Sequence, residues 1–217
     1  MSWRPIEIIF LLGALSACKS GENDVSEGLK SPDRHVRSRA VLALGDSKDH
    51  AGSVRELEAV LRQDADRGVR IDATVALGQL GGPDATAVLV EMAASTDEAI
   101  FRTAALEAIE KGHDPSAIPG VINLFRLNRG EDDTSIQFEA RHALVKFGAL
   151  GMPQLLQALN DSSAKVRKAV VEVLGEMGNP EVVDQIAGLQ TDPDPAVRRA
   201  VERALATLKD KPAPATR

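Results

Sequence analysis

"VRIDATVALGQLG", residues 69 to 81, decides the fold. Its apolar residues Val69, Ala73, Ala76 and Leu77 stand at offsets 0, 4, 7 and 8, which is one face of a helix with 3.6 residues per turn. The same register returns from Val36, Phe101, Ile136, Val166 and Val197, at spacings of 33, 32, 35, 30 and 31 residues. Offset 4 is Ala40, Ala73, Ala105, Ala140, Val170 and Val201; offset 8 is Leu44, Leu77, Ile109, Leu144, Leu174 and Leu205. Six copies at a near-constant period are a repeat architecture, in which each unit buries its apolar face only against its neighbours. The alanines at offsets 4 and 7 let successive helix backbones approach closely.

Helix starts and stops fit this register. Five residues before the anchors stand Ser31, Asp64, Thr96, Glu131, Asp161 and Asp192, mostly residues that can cap a first turn. Pro32 and Pro193 follow at what reads as the first helical position. Gly45, Gly78 and Gly175 are expected to close three copies in the left-handed conformation. Between these helices "SVRELEAVL" (53–61), "ATAVLVEMA" (85–93), "AIPGVINLF" (117–125), "MPQLLQAL" (152–159) and "EVVDQIAGL" (181–189) form a second set, entered through Pro83, Pro115, Pro153 and Pro180. No stretch alternates as a strand would. The expectation is all-α: a right-handed α-solenoid of about six helix-pair repeats over residues 25–209.

"DRGVRIDATVALG" (66–78), "DRHVRSRAVLALG" (33–45) and "DPAVRRAVERALA" (194–206) resemble the inner-helix signature of HEAT-like repeats, the subgroup named after phycobilin lyases. The resemblance implies a structural ladder of ion pairs between adjacent repeats, made by acidic residues Asp33, Asp66, Glu98 and Asp194 with Arg37, Arg70, Arg102, Arg167 and Arg198. Gln137 replaces the arginine in copy four and Ser163 the acid in copy five, so the ladder is expected to break at copy four. The architecture hosts scaffolds, adaptors and some enzymes, so it specifies fold more than function.

Residues 1–18, "MSWRPIEIIFLLGALSAC", are a different text. Arg4 precedes a short uncharged apolar run, Ile8 to Leu15, suited to a secretory signal and too short to span a bilayer. Leu15-Ser16-Ala17-Cys18 resembles a bacterial lipobox, and Cys18 is the chain's single cysteine. The expectation is a signal peptide ending at lipidated Cys18, a tether at 19–24 and a Pro/Ala-rich tail at 210–217. This address is the bacterial cell envelope, lipid-anchored and periplasm-facing, with the outer membrane slightly favoured.

Lysine plus arginine total 26 against 32 acidic residues, a net charge of −6, which argues against a phosphate-tracking nucleic-acid binder. His35, His50, His113 and His142 are scattered, with no metal-ligand spacing, nucleophile elbow or phosphate loop. The chain is therefore expected to be non-catalytic, without cofactor or metal. Function should lie where the copies differ. At offset 2 stand Ser38, Ile71, Thr103, Phe138, Lys168 and Arg199, and at offset 6 Leu42, Val75, Glu107, His142, Glu172 and Arg203. Ile71, Thr103, Phe138, His142 and Lys168, with the polar loop "LNRGEDDTS" (127–135), are the candidate partner-binding residues on a concave groove. The reading is a lipid-anchored scaffold or adaptor for a protein partner. Its rivals are a bilin-lyase-like or other enzyme on the same repeats, and a purely structural envelope lipoprotein.

Overall fold

The computed structural model describes residues 24–95, 98–127 and 133–209. Cys18, most of the tether, the middle of the 127–135 loop and the 210–217 tail lie outside the described residues. Among those described, every regular element is helical, and no helix is long and apolar enough to cross a membrane. The chain divides into two compact units at Leu80 and Gly81.

The first unit holds α1 (24–29), α2 (Arg34–Gly45), α3 (His50–Gln63) and α4 (Arg67–Leu80). Helices α2 and α4, which carry the first two anchors, pack side by side, and α3 lies against both. Val41, Leu57, Ala73, Ala76 and Leu77 are sealed between them. Val36 and Ala43 instead line an open cleft of about 630 Å³ beside α1.

The second unit contains α5 (Gly82–Ser95), α6 (Ala99–Gly112), α7 (Ile118–Leu124), α8 (Asp133–Phe147), α9 (Met152–Ala158), α10 (Ala164–Met177), α11 (Val183–Ala187) and α12 (Pro195–Lys209). Anchor helices α6, α8, α10 and α12 touch in series; α5 braces α6, α7 lies against α8 and α10, α9 against α10 and α11 against α12. Single 3-10 turns lead into α7, α9 and α11, and Pro115, Pro153 and Pro180 open these segments as their fixed φ allows. Every residue at offsets 0, 4, 7 and 8 of these four copies is buried, from Phe101 to Leu205.

Two expectations about helix ends are corrected. The capping residue is three positions before the anchor, not five: Asp33 accepts from His35 N at 2.8 Å, Asp66 from Gly68 N at 2.8 Å and Asp194 from Ala196 N at 2.7 Å. The residue at −5 closes the preceding turn, as where Asp64 accepts from Asp66 N and Asp192 from Asp194 N. Pro32 and Pro193 thus sit in that turn, and among the anchor helices described the proline at a first helical position is Pro195. The glycines also differ from expectation. Gly45, Gly78 and Gly175 are buried within helices, and among the described residues the left-handed glycines are Gly81, Gly82, Gly148 and Gly178. A Cβ on Gly175 would lie 2.8 Å from the Ala204 Cβ and one on Gly45 3.3 Å from the Ala76 backbone, so these glycines admit the next anchor helix.

Candidate functional site

Two side-chain systems run across the repeats, and only one leaves a site. The first is the arginine ladder. Arg37 donates from Nε and Nη2 to Asp64 at 2.7 and 3.0 Å, and Arg167 donates in the same bidentate manner to Asp192 at 2.7 and 2.9 Å. The remaining nitrogen of each guanidinium ties down its own loop: Arg37 Nη1 reaches Ser31 O, Arg167 Nη1 reaches Asp161 O and Arg198 Nη1 reaches Asp192 O. Of the acids at −3 expected as ladder partners, Asp33, Asp66 and Asp194 are occupied as helix caps, whereas Glu98 makes no side-chain cap bond; the rungs of Arg37 and Arg167 go to the acid at −5 of the following repeat. Hydrogen bonds from Arg37 and Arg167 hold the Asp64 and Asp192 carboxyls below the usual aspartate range. At copy four, where Gln137 lacks a guanidinium, Arg126 pairs with Asp161 in its place. Arg102 is buried at the corresponding position of α6. This system locks loops to helices and lies within the repeat framework.

The second system is on the face carrying offsets 2, 3 and 6. Ser38 donates to Asp72 in the first unit, and Thr103 Oγ1 donates to Glu139 Oε1 at 2.8 Å in the second. In both, a hydroxyl at offset 2 meets an acid at offset 3 of the next copy. Phe138 occupies offset 2 of copy four, and the residue at offset 3 of copy five is Ala169. The Phe138 ring is 60% exposed, and Arg141 lies over it at 5.8 Å from the centroid.

Between α6 and α8 this face opens into a pocket of about 500 Å³. Leu106 and Phe138 supply its apolar surface; Glu107, Glu110 and Glu139 supply carboxylates; Thr103, Lys111 and His142 complete the wall. Glu110 Oε2 lies 3.2 Å from His142 Nδ1. Of the five candidate partner-binding residues, the structure brings together Thr103, Phe138 and His142. Ile71 belongs to the first unit and is half-buried on α4, while Lys168 is on α10, 3.8 Å from Glu172. Glu110 and Glu139 escaped sequence reasoning because each meets its partner a full repeat away, at separations of 32 and 36 residues. Glu172, placed at offset 6 by the sequence, takes two arginines that spacing did not indicate: one carboxylate meets Arg141 at 2.9 Å and Arg203 at 3.2 Å. Among the described residues no group of three or more histidine, cysteine, aspartate or glutamate side chains is placed to hold a metal.

The repeat geometry has a direct counterpart among known proteins, because the family described as HEAT repeats matches residues 8–110 and 152–216. The chain belongs to the HEAT-repeat family. It is similar to phycocyanobilin lyase subunit beta of Nostoc sp., 30% identical over 116 residues, 53% of this chain and 55% of that protein. It is also similar to deoxyhypusine hydroxylase of Eremothecium gossypii, 25% identical over 181 residues, 81% of this chain and 52% of that protein. The chain thus spans about half the length of these curated relatives. A solved structure described as the basis of microtubule plus end tracking by XMAP215, CLIP-170 and EB1 aligns with a TM-score of 0.51 at 17% identity, over 88% of this chain and 92% of that one, a likeness of fold alone.

These relatives correct the expectation of a non-catalytic chain. Both carry enzyme names, a lyase subunit and a hydroxylase, and this likeness to enzymes conflicts with that expectation. Sequence spacing does not reveal groups that meet across repeats. The α6–α8 pocket gathers three carboxylates and an imidazole that no local motif announces.

Proposed function

We propose that this HEAT-repeat protein works by holding a protein partner on the pocket between α6 and α8, from a lipid anchor on Cys18 in the bacterial cell envelope. The observation that carries the docking reading is Phe138, a large ring left 60% exposed on the variable face while the corresponding framework positions are buried. The anchor rests on the Leu15-Ser16-Ala17-Cys18 sequence and the single cysteine at its end. The test places a photo-cross-linking amino acid at position 138 and, as a control, at the exposed Leu150 on the 3-10 turn after α8. A discrete adduct from 138 and none from 150 is the expected result. Adducts from both positions, or from neither, would remove the pocket as a docking site.

A second reading is a bilin-lyase-like activity, supported by the likeness to the phycocyanobilin lyase subunit and by the polar groups around His142. Addition of phycocyanobilin should then change its visible absorbance, and His142→Ala should abolish the change. An unchanged spectrum excludes it.

A further inference from the structure

We infer that the α6–α8 pocket takes a protein segment in which an apolar side chain stands beside a lysine or arginine. This deepens the docking reading above and rests on it. The pocket's volume, about 500 Å³, falls in the range of ligand clefts, about 300–1,000 Å³. Its apolar surface is the exposed Phe138 ring with Leu106, which is small enough to seat one aliphatic side chain rather than a helix face.

The rim sets the charge. Among the described lining residues, Glu107, Glu110 and Glu139 stand with one ammonium, that of Lys111, and the His142 imidazole. Glu139 already accepts from Thr103, and Glu110 faces His142. Glu107 is exposed, and among the described residues nothing pairs with it. An acidic or uncharged polar segment would leave the Glu107 carboxylate uncompensated, whereas a cation satisfies it while its neighbour covers the ring. Arg141 over Phe138 shows that a guanidinium already rests on this aromatic surface.

The probe is a fluorescein-labelled nonapeptide with leucine between two lysines in a glycine–serine frame, titrated by anisotropy into the full chain carrying Cys18→Ser. One control peptide replaces both lysines with glutamate; another replaces leucine with serine. The lysine–leucine peptide is expected to bind about tenfold tighter than either control, and to weaken as salt screens the rim. Glu107→Lys and Phe138→Ser should each weaken it about fivefold or more, with melting temperatures close to the parent because both side chains are exposed. Equal binding of the lysine and glutamate peptides would overturn the charge assignment. Binding that neither substitution alters would place the peptide elsewhere and overturn the site. If no peptide binds while position 138 still cross-links to one partner, the docking reading stands and the chemistry inferred here falls; if both fail, both readings fall.

Discussion

At the scale of single residues, the ladder arginines act through geometry rather than net charge. Arg167 makes two bonds to Asp192 and ties the Asp161 and Ser162 carbonyls, so one side chain joins two loops. Arg167→Ala removes charge-assisted bonds and should cost roughly 2 kcal/mol in urea unfolding. A loss within error of zero would mean that solvent replaces the guanidinium without penalty. Asp192 has a folded pKa below its unfolded value, so its stabilisation is complete above about pH 4 and is lost as the pH falls through the depressed folded value. Asp192→Asn should therefore be less stable than the parent at pH 7, with a smaller further loss on acidification. Stability measured at pH 7 and at about pH 3 checks this; parallel losses would sink it.

At the scale of elements, the close seating of anchor helices depends on small residues in matched places. Gly175 in α10 receives Ala204 of α12, as Gly45 in α2 receives Ala76 of α4. By helix propensity alone Gly175→Ala should gain about 1 kcal/mol. The Cβ meets both Cβ and Cα of Ala204, and a forced backbone shift typically costs about 1–3 kcal/mol, so packing should win. A lowered melting temperature by far-UV circular dichroism is expected; a raised one would show that α12 moves aside freely. The pocket is the counterpart of this seating. Where offset 2 carries a hydroxyl the next copy closes on it with an acid, and where it carries Phe138 the ring is left outside.

At the scale of the whole molecule, repeats divide their labour: shared positions build the stack, and unshared ones are free to vary because stability is close to a sum over repeats and their interfaces. The acidic balance of −6 suits a protein whose site receives cations better than one that tracks phosphates. The proposed anchor is testable at this scale. Metabolic palmitate labelling and membrane fractionation of the parent beside Cys18→Ser should show both label and membrane association only when Cys18 is present. An unlabelled, soluble parent would remove the envelope from the functional reading.

The period of about 32 residues, the apolar offsets and the all-helical class were legible in the sequence, because each is a local pattern repeated six times. Caps and rungs were only half legible. Asp64 and Asp66, or Asp192 and Asp194, are both plausible caps by residue type, and only the folded turn decides which oxygen meets the helix and which the arginine. Arg126 standing in for the arginine missing at Gln137 was illegible, since the replacement comes from the turn after α7, outside the anchor helices. The same holds for the pocket. Phe138 and His142 could be singled out by their departure from the pattern, but Glu107, Glu110 and Glu139 became site residues only when α6 and α8 were laid side by side. Periodicity records what each repeat does alone; contacts made one repeat apart depend on tertiary register, which no local spacing encodes.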